Sequence, residues 1–323
     1  MTPNINIELV QKTIDKLVSS KDFMDNTTVS DNNLTEIANL IRVRDLAELS
    51  NSKESGFNIN FVSAATKSSK FRLAFATTNP NKLKEFIEYT KTDKVFKTFK
   101  NCFKVKDSIL ERVDVPEGEF SFAYNAGLKS KFYSKEYKGS MILSEDSGII
   151  VPCLGFYPGV ISARHGKTLE SLEMMEEFYS EKQMNILSTL PDDSFNNMVL
   201  LTKIYKHYES INEYMPLTVN AILSTTASLS IDGKEIANHT GTINGVIFTS
   251  YMKSFASDKS DNNFHRIVST LNGFGYNPIF KVRLNHDSAK FVSLEETENA
   301  FIHRRNAFNQ VLLDLLYKTI SPA

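Results

Sequence analysis

The chain has 323 residues, 41% hydrophobic and 23% charged, enough for one large or two small globular domains and unlike a low-complexity segment. Lys plus Arg number 37 against 38 Asp plus Glu, so a net charge of −1 offers no bulk attraction for nucleic acid or an anionic membrane, and any polyanion must be gripped locally. Two cysteines, Cys102 and Cys153, exclude a disulfide framework; with no run approaching ~18 apolar residues and no basic start leading into an apolar stretch, a cytoplasmic protein is expected.

Residues 1–68 are rich in Asn and Ser and hold two amphipathic patterns at helical spacing. These are Leu9, Val10, Ile14, Leu17 and Val18, then Leu34, Ile37, Ala38, Ile41 and Leu46. They predict a small, partly disordered helical extension with polar linkers at 25–28 and 51–56, an arm open to a protein partner. From residue 69 to 323 the pattern is α/β, strands alternating with helices.

A buried strand is predicted over 71–76. Asn79 then caps, and Pro80 opens, a helix over 81–90. Lys91, Lys94, Lys97, Lys100, Lys104 and Lys106 interleave with Phe96, Phe99 and Phe103, which reads as an amphipathic segment with its lysines in water. Short strands at 141–144 and 149–151 flank a tight turn at Asp146-Ser147-Gly148. Residues 168–212, helical and then polar around Pro191-Asp192-Asp193, read as an insertion. Residues 219–231 form a strand, Asp232-Gly233 a two-residue hairpin turn, and 234–239 the partner strand. A helix over 303–319 closes the chain, with Phe308, Val311, Leu312 and Leu315 on one face.

Four places offer chemistry. The turn Thr77-Thr78-Asn79-Pro80-Asn81-Lys82 brings hydroxyls, a helix N-terminus and a lysine together, the ingredients of a phosphate seat; a plain capped helix is the other reading. Glu117 and Asp146 stand at strand edges, and Mg²⁺ takes one or two carboxylates plus phosphate oxygens; singly, each is an ordinary turn residue. Gly273-Phe274-Gly275-Tyr276-Asn277-Pro278 holds aromatics among glycines, suited to stacking on a base or to packing a core. His303-Arg304-Arg305 opens the last helix, where cations oppose the dipole unless an anion faces them. Gly166-Lys167-Thr168 lacks the glycine five residues upstream that a P-loop needs, and His165, His207, His239, His265 and His286 have no partner at metal or triad spacing.

In this order and spacing the clusters resemble the inosine triphosphate pyrophosphatase family, across most of residues 71–318. Thr77-Thr78-Asn79-Pro80-Asn81-Lys82 resembles its Thr-Gly-Asn-x-x-Lys, and Pro116-Glu117 with Asn125-Ala126-Gly127-Leu128-Lys129 its Pro-Glu and Asn-Ala-x-x-Lys. Glu145-Asp146-Ser147-Gly148-Ile149, then Leu154-Gly155-Phe156-Tyr157-Pro158-Gly159 running on to Ser162-Ala163-Arg164, resembles its central signature. Residues 241–247, 273–280 and 302–304 match its later glycine, aromatic and Ser-His-Arg motifs.

The resemblance implies an elongated mixed β-sheet flanked by helices in two lobes, a central nucleotide cleft and a homodimer. The implied reaction is hydrolysis of a non-standard purine nucleoside triphosphate to monophosphate and pyrophosphate. Glu117 and Asp146 would hold Mg²⁺, Asp146 would also take a proton from water, and Lys82 with Thr77, Thr78, Asn79 and Ser147 would bind the polyphosphate. Phe274 would stack on the base, with Gly275, Tyr276, Asn277, His303 and Arg304 completing the pocket. Four positions depart from the family: Thr78 for glycine, Asn277 for aspartate, Ile302 for serine, and Glu298 where a lysine precedes Asn299. They imply an altered base preference. The competing reading is a catalytically impaired nucleotide-binding protein that keeps the fold.

Overall fold

The computed structural model describes residues 71–93, 95, 96, 103–106, 115, 117, 118, 121–283, 291–293 and 301–320. The extension read at 1–68, Lys94, Lys97, Phe99 and Lys100 of the lysine-rich segment, Pro116 and the Glu298-Asn299 pair lie outside the described residues.

The helices and strands alternate as the composition suggests. Strand β1 (Phe71–Ala76) leads to helix α1 (Pro80–Thr92), β2 (Phe103–Lys106), α2 (Phe122–Glu136), β3 (Ser140–Val151) and β4 (Tyr157–Pro158). Helices α3 (Leu169–Phe178), α4 (Glu181–Leu187) and α5 (Asp192–Ser210) follow, then the hairpin β5 (Thr218–Ile231) and β6 (Lys234–Phe248). Helices α6 (Ser250–Ser257) and α7 (Asp261–Thr270), strands β7 (Phe280–Arg283) and β8 (Phe291–Ser293), and α8 (Ile302–Ile320) complete the order. The strands pair as β2-β1-β3-β5-β6-β7-β8, with β4 on β3, a mixed sheet.

The chain divides into two units: residues to Asp146 with Thr225–Gly241 and Arg304 onward, and Ser147–Ser224 with Thr242–His303. In the first unit β1 runs parallel to both β2 and β3, the pairing that needs helical crossovers such as α1 and α2. Phe75 and Phe86 stack at 4.5 Å, and Phe308 of α8 meets both edge-on at 5.7 and 5.8 Å, so one aromatic cluster seats α1 and α8. The hairpin turn at Asp232-Gly233 has φ of 46° and 79°, both left-handed, as a two-residue turn between twisted strands demands.

The second unit has its own core. Met175, Phe178, Tyr179, Leu187, Val199, Leu200 and Ile204 from α3–α5 bury against Ile149, Val151, Phe255, Phe264 and Phe280. Strands β6, β7 and β8 are antiparallel there. The polar triplet Pro191-Asp192-Asp193 is the beginning of α5, with both aspartates in its first turn, where carboxylates favour the dipole.

One expectation fails. Residues 146–148 make no turn, because β3 runs unbroken from Ser140 to Val151. Its first seven residues are buried, so apolar packing holds Met141, Ile142 and Leu143 extended, and Gly148 keeps the strand narrow where Ser162 and the Gly159 carbonyl approach. An uninterrupted strand sends successive side chains to opposite faces, so Glu145 and Asp146 diverge.

Candidate active site

Asp146 lies on the α2 face of β3, as does Ser144, whose hydroxyl donates to the Ala126 carbonyl at 2.6 Å. Asn125, fully buried on α2, donates Nδ2 to Asp146 Oδ2 at 2.8 Å, while its Oδ1 accepts from the Gly118 amide at 2.9 Å. One amide side chain thus ties Asp146 to the loop that carries Glu117. One turn along α2, Lys129 Nζ reaches Glu117 Oε1 at 2.9 Å and Asp146 Oδ1 at 3.7 Å. Burial pushes the Asp146 carboxyl above its ordinary range, with Lys129 and then Lys82 opposing. Burial works against the Lys129 ammonium, but Asp146 and Glu117 outweigh it and hold its pKa above the ordinary value, so it stays charged.

Glu145 faces the other way. Its Oε1 lies 2.5 Å from Lys82 Nζ and its Oε2 3.4 Å from Arg304 Nε, and Arg304 Nη1 reaches Glu85 Oε2 at 2.7 Å. Burial alone would raise the Glu145 carboxyl, yet Lys82 and Arg304 overcome it and bring it to about 2. Burial raises Glu85, with Arg304 opposing. Arg304 therefore faces carboxylates, and Arg305 Nε lies 3.8 Å from Asp93 Oδ2; Arg304 and His303 are both buried, which removes the solvated-face reading for these two.

The turn at Thr77–Lys82 forms a capped helix start, with side chains already satisfying its amides. Asn79 Oδ1 accepts from the Asn81 and Lys82 amides at 2.9 and 3.3 Å, and Thr77 Oγ1 accepts from the Asn79 amide at 3.1 Å. A phosphate entering here must displace these caps and compete with Glu145 for Lys82. Thr78 is exposed at the crest of the turn.

In the second unit, the aromatic loop is held from below. Gly275 has φ of 55°; its amide donates to Asp193 Oδ2 at 2.8 Å and its carbonyl accepts from Asn197 Nδ2 at 2.8 Å. Tyr276 donates its hydroxyl to the Ser162 carbonyl at 2.6 Å, and burial keeps that phenol far above its ordinary pKa. His165 stacks on Tyr276 at 6.3 Å and shares a 2.9 Å hydrogen bond with the Tyr157 hydroxyl. Phe274, Asn277 and Ser147 are half-buried.

Within the first unit, Glu117 and Asp146 come together around Lys129, and Lys82 and Arg304 around Glu145. Ser147, residues 274–277 and His303 belong to the second unit. The sequence motifs contain Asn125, Lys129 and Glu145 without giving them a role, and Glu85 is not singled out by sequence at all. The spacing of Asn125 and Lys129, one helical turn apart, was the available signal for the first two.

On a mixed sheet flanked by helices, the first unit thus sets a capped helix start, a half-buried lysine paired with a buried carboxylate, and two carboxylates converging on a second lysine. Residues 73–258 match the sequence profile of the Ham1 family, more than half of the chain, and the chain belongs to that family. A dITP/XTP pyrophosphatase of Acidobacterium capsulatum is 28% identical over 64% of this chain and 82% of its own length. One from Flavobacterium johnsoniae is 27% identical over 77% of this chain and 99% of its own. The solved Staphylococcus aureus Ham1 protein shares 23% identity over 76% of this chain and 98% of that one, with a TM-score of 0.43.

Proposed function

We propose that this protein hydrolyses the α–β phosphoanhydride of non-standard purine nucleoside triphosphates, releasing a nucleoside monophosphate and pyrophosphate. Membership of the Ham1 family and relatives named dITP/XTP pyrophosphatases support the reaction. The observation that carries the site is the Lys129 ammonium between Glu117 and Asp146, because two carboxylates that converge on one ammonium are suited to a divalent cation.

Among the described residues no group of three or more His, Cys, Asp and Glu stands ready for a metal, so substrate oxygens would complete the shell around Mg²⁺. Bound by Glu117 and Asp146, Mg²⁺ would supply neutralisation of phosphate charge. Asp146 Oδ1 takes the proton of the attacking water, a role that its raised pKa suits. Asn125 keeps the other Asp146 oxygen occupied and the carboxylate aimed. Lys82 leaves Glu145 for the polyphosphate, and Glu145 returns it afterwards; such preplaced charge is the main lever on phosphoryl chemistry. Phe274 stacks on the base. With seat, cation and carboxylates all retained, an enzyme is favoured over an impaired binding protein.

Glu298 in place of the family's lysine, with Asn277 and Ile302, supports a relaxed or altered preference for 6-oxopurines, since a hydrogen-bonding pocket that loses partners loses discrimination. The family resemblance supports a homodimer, and composition supports a cytoplasmic setting and an arm at 1–68 for a partner. Among the described residues no helix is long and apolar enough to cross a membrane.

Pyrophosphate release from ITP, XTP, dITP, dUTP and the standard triphosphates, with Mg²⁺, tests the reading. We expect turnover of dITP and XTP with a narrowed margin over GTP, and loss of about a thousandfold or more in kcat for Asp146→Asn. Turnover that survives Asp146→Asn refutes the assigned role, and a strong preference for ITP refutes the relaxed pocket.

A further inference from the structure

Building on the reading that the 273–278 loop meets the base, we propose that Asp193 and Asn197 of α5 are positioning residues for base recognition, clamping that loop through the backbone of Gly275.

Asp193 and Asn197 are four residues apart on α5, hence one above the other on the same face. Asp193 Oδ2 accepts from the Gly275 amide and Asn197 Nδ2 donates to its carbonyl, each at 2.8 Å. Both polar groups of a single loop residue are therefore held by one helix. Gly275 sits at φ 55°, the left-handed region in which glycine is at ease and other residues are strained. A glycine so placed would otherwise be the loop's freest hinge, and the two bonds remove that freedom.

The neighbours extend the clamp. Phe274 immediately precedes Gly275, so the direction of its ring follows from the peptide that Asp193 grips. On the other side, Tyr276 is anchored to the Ser162 carbonyl at 2.6 Å. The loop then closes on itself through the Ile279 and Phe280 amides, which donate to the Tyr276 carbonyl at 3.1 and 2.9 Å. Asn197 is fully buried, and its Oδ1 has no hydrogen-bond partner among the described residues. A buried amide that leaves an oxygen unpaired costs free energy; the bond to Gly275 is the return visible at this position. Helix α5, read from sequence as part of an insertion, thus holds the element that would select the base.

Steady-state pyrophosphate release from dITP and XTP by Asp193→Ala, Asn197→Ala, Asp193→Asn and Phe274→Ala tests this. Losing one bond of this kind corresponds to a rise in KM of roughly five- to tenfold, with kcat held within about twofold, for Asp193→Ala and Asn197→Ala. Asp193→Asn keeps an acceptor oxygen and restores most of the KM. Inhibition by inorganic tripolyphosphate, which has no base, stays as in the parent. If Phe274→Ala raises KM while both clamp variants lower only the melting temperature, the clamp is overturned and the base-loop reading stands. If Phe274→Ala leaves KM unchanged, the base-loop reading fails and the clamp's role falls with it.

Discussion

His165 provides an acid-sensitivity test of the second unit. The ring is completely buried, its Nδ1 is engaged with the Tyr157 hydroxyl at 2.9 Å, and Nε2 has no hydrogen-bond partner among the described residues. Burial first, then the charge of Lys203, lowers its pKa from 6.5 to about 3. The folded imidazole is therefore neutral through the whole range in which the unfolded chain's imidazole takes up a proton. Stability from this residue is complete above pH 6.5 and is lost as pH falls from there toward 3. Between pH 7 and pH 5 the difference amounts to about 2 kcal/mol, from 1.36 kcal/mol for each pH unit well below the unfolded pKa. His165→Phe keeps an aromatic ring against Tyr276 and removes the proton site. It also gives up the bond to Tyr157, worth about 1 kcal/mol, so the comparison must be of pH dependence rather than of stability at one pH. Urea unfolding of both proteins at pH 7 and pH 5 measures it. The parent should lose about 2 kcal/mol more than His165→Phe over that interval. Equal losses would show that the folded His165 titrates like an exposed imidazole, and the reasoning would fail.

Two further outcomes bear on the first unit. Lys129→Gln removes the nearest opposing charge from Asp146, so the Asp146 pKa rises further; the acid limb of kcat/KM should move to higher pH, and an unmoved limb would separate Lys129 from the base. Glu145→Gln leaves Lys82, whose side chain is 17% exposed, without its buried carboxylate partner, a loss on the order of 2 kcal/mol. For a protein of this size that is a fall of roughly 4–8 °C in melting temperature. Differential scanning calorimetry with EDTA present reads this directly, and a melting temperature within a degree of the parent would deny the ion pair its structural weight.

Local signals were readable wherever the physics is local. Asn79 and Pro80 announce α1 because a cap and a preset φ act within a few residues, and Asp232-Gly233 announces the hairpin because the turn itself needs left-handed backbone. The apolar stripe of α8 was equally plain, with Phe308, Val311, Leu312 and Leu315 all buried. The motif residues Lys82, Glu117 and Asp146 could be singled out from residue type and order.

Tertiary packing decided the rest. Whether Asp146-Ser147-Gly148 turns or runs straight depends on what buries β3, and its running straight sends Glu145 and Asp146 to opposite faces, one toward Lys82 and Arg304, the other toward Asn125 and Lys129. Arg304 lies 159 positions from Glu145, and Asp193 lies 82 from Gly275. No periodicity or spacing reports on such pairs, because their energy exists only after the sheet and helices have brought them within hydrogen-bond reach. From residue types alone the chain could be read for its elements and for candidate residues for a phosphate and a cation. Which of them meet, and that Glu145 pairs with Lys82 and Arg304 while Asp146 meets Asn125 and Lys129, follows from burial and strand direction.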